Sequence, residues 1–150
     1  MTQGVDLCLA LFYCRRTPGG GEDERQLLER KYGGRVRFFA LPCSGRLEPI
    51  HLLRALEQFA DADYLIACPE GACRYFEGNH RARRRVQRAQ AVIAQIGLEP
   101  ERIGMVTRQA SSEQTLARLT GRILTDMAAL PPSPVLQRPA RSEFNQESIK

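Results

Sequence analysis

Short apolar runs alternate with amphipathic stretches along this chain. Val5 to Tyr13 (Val-Asp-Leu-Cys-Leu-Ala-Leu-Phe-Tyr) is almost continuously apolar and of strand length, as in a strand buried on both faces of a parallel sheet. Cys14-Arg15-Arg16-Thr17-Pro18-Gly19-Gly20-Gly21 breaks it with loop residues. Glu22-Asp23-Glu24 puts acid into a first helical turn, Leu27, Leu28 and Tyr32 continue that helix, and Gly33-Gly34 ends it. Val36 to Leu41 reads as a second strand, stopped by Pro42-Cys43-Ser44-Gly45-Arg46. Pro49 suits the first turn of a second helix, whose apolar stripe is Leu52, Leu53, Leu56, Phe59 and Ala60.

Tyr64 to Ala67 makes a third strand, which opens into Cys68-Pro69-Glu70-Gly71-Ala72-Cys73. Asn79 is a good N-cap for a third helix carrying Ala82, Val86, Ala89, Val92, Ile93 and Ile96 at helical spacing up to Gly97. Ile103 to Val106 is a short fourth strand. Ser111 or Ser112 caps the last helix, with Ser111 and Gln114 at capping-box spacing and Leu116, Leu119, Ile123, Met127 and Leu130 toward the core. Strand alternating with helix four times predicts an α/β fold: a small four-stranded parallel sheet with helices on both faces, a flavodoxin-like three-layer sandwich with right-handed crossovers. Residues 1–130 form the expected domain, and the Pro-rich remainder, 131–150, a flexible tail.

Composition narrows the function classes. At 150 residues the chain can bury a core without disulfide staples. Lys+Arg 22 against Asp+Glu 17 leaves +5, with acids spread among the arginines, so nucleic acid is not demanded as a partner. No window approaches the roughly 20 apolar residues of a membrane span, and Met1-Thr2-Gln3-Gly4-Val5-Asp6 lacks a positive n-region. The expected compartment is the cytoplasm, where thiols stay reduced, and five cysteines fit thiolate ligation plus one spare better than a disulfide framework. No G-x-G-x-x-G, P-loop or nucleophile elbow occurs, so a chain that does no chemistry alone is expected.

In an all-parallel sheet the carboxyl ends of the strands share one edge. Cys14 ends the first strand, Cys43 follows the second, and Cys68 and Cys73 follow the third. Three separate loops thus deliver four thiols to one rim, whereas Cys8 falls mid-strand as a small buried hydrophobe. Four thiolates suit an iron–sulfur cluster or a closed structural zinc site, and loop thiols that bind nothing remain the plain alternative. No C-x-x-C pair supports a thiol oxidoreductase. Neither His51 nor His80 has the paired placement of a Rieske-like ligand.

Two blocks carry a resemblance. Pro42-Cys43-Ser44-Gly45-Arg46 followed by Leu53-Arg54-Ala55-Leu56, and Cys68 through Cys73-Arg74-Tyr75-Phe76-Glu77-Gly78-Asn79 continuing to Gly97-Leu98-Glu99-Pro100-Glu101-Arg102, resemble the iron–sulfur delta subunit of methyl-viologen-reducing hydrogenase. That family also occurs as a domain in heterodisulfide-reductase-linked complexes, and the likeness covers roughly residues 5–125. It implies a [2Fe–2S] electron-transfer subunit of a hetero-oligomer, relaying electrons between a heterodisulfide-reductase A-type flavoprotein and a hydrogenase or other oxidoreductase. By matching position, Cys14, Cys43, Cys68 and Cys73 carry the family's cysteines. Family members commonly have C-x-x-C in the first loop, where this chain has Cys14 and Thr17. A zinc-bound or metal-free adaptor that docks larger subunits is the competing expectation. Under the relay reading, Arg15, Arg16, Arg46 and Arg74 would favour the reduced cluster, and N–H groups around Gly45 and Gly71 would donate to sulfur. Arg81, Arg83, Arg84, Arg85 and Arg88 crowd the third helix away from its apolar stripe, as a solvated face or a surface for an acidic partner.

Overall fold

The computed structural model describes residues 7–69, 78–109 and 114–136. Its elements run β1 (Leu9–Cys14), α1 (Glu22–Tyr32), β2 (Val36–Leu41), α2 (Pro49–Gln58), β3 (Ala62–Ala67), α3 (Gly78–Gln95), β4 (Ile103–Thr107) and α4 (Leu116–Met127), with 3-10 turns at Ser44–Arg46 and Pro100–Arg102. The strands form one parallel sheet in the order β2-β1-β3-β4. The α/β expectation of a four-stranded parallel, flavodoxin-like sandwich therefore holds.

Alternation along the central strands divides the core into two layers. Ala10, Phe12 and Leu65 face α2 and α3, packing on Leu52, Leu56, Ala82, Val86, Ala89 and Ile93. Leu9, Leu11, Tyr13 and Ile66 face α1 and α4, meeting Leu28, Leu116, Leu119, Ile123 and Met127. On α3 the buried stripe is narrower than its periodicity predicts. Val92 and Ile96 are exposed: Val92 lies one residue off the Ala82-Val86-Ala89-Ile93 row that meets the sheet, and Ile96 falls just past the end of α3 at Gln95. α1 ends at Gly33, whose φ of 59° is the left-handed closure that glycine tolerates.

At the amino edge the buried charges are closely paired. The Asp61 carboxylate accepts from Cys8 N and from Ser133 N, each at 2.8 Å. Arg102, fully buried, donates to Glu99 Oε1 (2.7 Å), Asp61 O (2.9 Å) and Pro131 O (2.7 Å). Two elements start away from their expected places. Asp61 N donates to Cys8 O at 2.8 Å, so β1 begins at Leu9 and Cys8 sits, partly exposed, before the ladder rather than buried inside it. β3 starts at Ala62, two residues before its apolar run, because Asp63 is itself inside the sheet.

Asp63 is fully buried beside Ala10 and Ile103, and neither carboxylate oxygen has a hydrogen-bond partner. Burial pushes its carboxyl well above the ordinary carboxylate range, because it disfavours the charged form. A folded value above the unfolded one gives stability that is complete below the unfolded pKa of about 3.9 and is lost as pH rises toward the folded value. Urea unfolding from pH 5 to pH 8 will show Asp63→Asn gaining on the parent as pH rises, by up to about 1.4 kcal/mol per pH unit.

Candidate metal centre

The chain returns past β1 after β2, so β3 pairs with β1 on the side opposite β2. Crossovers on either side of β1 leave over opposite faces, which opens a crevice at the carboxyl ends of β1 and β3. Cys14 and Cys68 meet in it. Both are buried, and their sulfurs stand 3.3 Å apart. Two thiolates on one tetrahedral ion with bonds of about 2.3 Å would be about 3.8 Å apart; a disulfide would need about 2.05 Å. As donors, the two thiols therefore fit a shared metal with a small adjustment.

Cys43 occupies the neighbouring loop, also buried, at the start of the Ser44–Arg46 turn. Gly45 N donates to its sulfur at 3.3 Å, the kind of N–H···S contact expected around Gly45. Among the described residues no three Cys, His, Asp or Glu side chains gather as a metal-binding group, so Cys43 does not join the Cys14–Cys68 pair there. Cys73, with Gly71 and Arg74, lies outside the described residues. Cys8 is at the opposite edge, and His51 Nδ1 accepts from Glu48 N at 3.0 Å in the first turn of α2.

Asn79 ties the loops together. Its Nδ2 donates to Cys68 O (2.7 Å) and Pro69 O (3.3 Å), while its Oδ1 accepts from Ser44 Oγ (3.1 Å). It stands inside the first turn of α3, which begins at Gly78, rather than at the N-cap. The polar atoms that suggest a cap are committed to the thiol loops instead. For α4 the cap is Thr115, whose Oγ1 accepts from Arg118 N at 3.3 Å. Ser111 and Ser112 lie outside the described residues, and α4 starts after them at Leu116.

Thr17 closes a turn on Cys14, its N–H donating to Cys14 O at 2.8 Å. Its hydroxyl is buried without a hydrogen-bond partner, an orphaned polar atom three residues from a candidate ligand. Gly20 holds the far side of this loop. A Cβ there would fall 2.9 Å from the Tyr13 ring and 2.9 Å from Thr17 O, and Tyr13 Oη donates to Gly20 O at 3.2 Å.

Charge at the pair comes from an unexpected residue. Arg15, Arg16 and Arg46 are exposed. Arg108, just past β4 and anchored by its N–H to Ala67 O at 3.0 Å, sets its guanidinium beside Cys68. Burial pushes the Cys68 thiol up to about 11, Cys14 adds to that, and Arg108 opposes both. The only signal in the sequence was that Arg108 follows a fourth strand ending at the same rim.

A family model described as methyl-viologen-reducing hydrogenase, delta subunit, matches residues 9–130. The chain belongs to that family. Among relatives of the delta subunit, the vhc iron-sulfur subunit of the F420-non-reducing hydrogenase of Methanococcus voltae is 33% identical over 61% of this chain. That match covers 64% of the relative, a little under two thirds. The vhu iron-sulfur subunit of the F420-non-reducing hydrogenase of Methanocaldococcus jannaschii is 27% identical over 87% of this chain and 98% of its own length. One subunit of the Ferredoxin/F(420)H(2)-dependent CoB-CoM heterodisulfide reductase of Methanosarcina acetivorans is 27% identical over 78% of this chain, which is 14% of that much longer protein. No described helix is long and apolar enough to cross a membrane.

Two outcomes follow from the geometry. Diamide treatment of metal-free protein will couple Cys14 to Cys68 with loss of two hydrogens, seen as a cross-linked peptide by mass spectrometry and absent in Cys14→Ser. Asn79→Leu, which strands Ser44 Oγ and two carbonyls, will lower stability by about 1–3 kcal/mol in urea melts.

Proposed function

We propose that this delta-subunit chain carries a [2Fe–2S] cluster on Cys14, Cys43, Cys68 and Cys73. It relays electrons between a heterodisulfide-reductase A-type flavoprotein and a partner oxidoreductase such as a hydrogenase, as a non-catalytic cytoplasmic subunit of a hetero-oligomer. The observation that carries this reading is the buried Cys14–Cys68 pair, 3.3 Å apart in the crevice between β1 and β3, in a chain whose relatives are named iron-sulfur subunits. When bound, a [2Fe–2S] cluster supplies one-electron transfer at a potential set by charge, hydrogen bonds and exposure.

The chain's own residues do the rest. Cys14 and Cys68 present adjacent sulfurs away from water. Gly45 N–H, already donating to Cys43 Sγ, stabilises negative charge on that ligand. Arg108 places positive charge beside Cys68 and so favours the more negative, reduced state. Asn79 couples the Cys43 and Cys68 loops, holding the ligands in register.

A second reading, a zinc-bound or metal-free adaptor, draws on the separation of Cys43 from the pair among the described residues and on Thr17. Metal analysis with a visible spectrum, on protein purified without oxygen, decides between them. About two irons per chain and a bleachable visible band are expected; zinc, or no metal, would overturn the relay in favour of the adaptor.

Serine at Cys14, Cys43, Cys68 or Cys73 will remove the band, and Cys8→Ser will keep it. Full colour in the Cys43 and Cys73 variants would refute the ligand set. Redox titration of Arg108→Met will give a midpoint potential lower by some tens of millivolts, with Arg108→Lys close to the parent.

A further inference from the structure

The arginines of α3 make more than a solvated face. Arg81, Arg84, Arg85 and Arg88 line a groove of about 310 Å³, running about 10 Å along the helix axis at the 1.5 Å rise per residue. Arg81, Arg84 and Arg88 are exposed, and Arg85 is partly buried. Arg85 has acceptors of its own: it donates to Gly45 O (2.6 Å) and Leu47 O (3.0 Å) and lies 3.3 Å from Glu48 Oε1. Among the described residues neither Arg84 nor Arg88 has an ion pair or a hydrogen-bond partner. Like charges held side by side repel, so the groove gains most from an anionic occupant.

We infer that this groove is the docking surface for an acidic segment of a partner protein. Among the described residues its lining is arginine side chains, with no aromatic ring to stack a base and no backbone N–H cradle of the kind that holds phosphates. Guanidinium forks match carboxylates two hydrogen bonds at a time. The groove also adjoins the thiol rim. Gly45 accepts from Arg85 through its carbonyl while its N–H donates to Cys43 Sγ, so a partner seated on α3 abuts the Cys43 loop through one shared residue. The binding stands independently of any cluster; that the docked partner exchanges electrons rests on the relay reading.

The test uses full-length protein, a fluorescent octaglutamate peptide, and anisotropy titrations at low and high salt. The parent is expected to bind at low salt and to weaken steeply as salt rises. Arg84→Glu/Arg88→Glu is expected to weaken binding by about tenfold or more. Arg30→Glu/Arg35→Glu changes net charge equally on exposed positions off α3 and is expected to leave binding close to the parent's. No binding by the parent, equal loss in both double variants, or tighter binding of inorganic tripolyphosphate at the same arginines would each overturn the proposal. Iron content, measured on the same preparations, tests the relay separately, so loss of one reading is distinguishable from loss of the other.

Discussion

The reversal of strand order at β1 is the constraint on which the site depends. Parallel strands joined by right-handed crossovers must put their carboxyl ends on one edge. The switch from β2 on one side to β3 on the other leaves that edge open above β1. Cys14 and Cys68, 54 positions apart in sequence, become neighbours for this reason alone. Had β3 added beyond β2, a whole strand would separate their loops. The hydrophobic layers on either face fix the crevice by fixing the register, because a one-residue slip would turn Phe12 and Leu65 away from α2 and α3.

Polar groups at the two edges are treated differently. At the amino edge Arg102 and Asp61 are matched by several partners, as buried charges must be. At the carboxyl edge Asn79 and Ser44 are matched too, but Thr17 Oγ1 and Arg108 Nε are buried and unpaired. Unsatisfied groups of this kind are few in native proteins. Two of them flank the thiol pair, where the chemistry is expected, and Asp63 contributes the others from within the core.

Much of this was legible in the residues. β2 starts and stops where the apolar run Val36 to Leu41 does, and the rim positions of Cys14, Cys43 and Cys68 follow from parallel topology. What was hidden depends on partners far away in sequence. Cys8 reads as part of a strand until Asp61 takes its backbone. Asp63 falls just outside the apolar run Tyr64 to Ala67, and nothing local signals a buried carboxyl there. Asn79 has the right chemistry for a cap, yet Ser44 and Cys68, 35 and 11 positions away, claim its side chain. Arg108 acquires meaning only once β4 pairs with β3 and brings it to Ala67. Local pattern specifies elements; long-range polar contacts specify how the thiol loops are held.

One carboxylate grips both extremities of the described domain. Asp61 takes the main chain just before β1 with one oxygen and the main chain after α4, at Ser133, with the other. The polypeptide thus enters and leaves along the same side, with the full height of the sheet between that side and the thiols. Such a unit behaves as a cartridge. It can be joined to other protein at its base without any new segment having to cross the crevice, and a similar stretch makes up 14% of a much longer heterodisulfide reductase subunit.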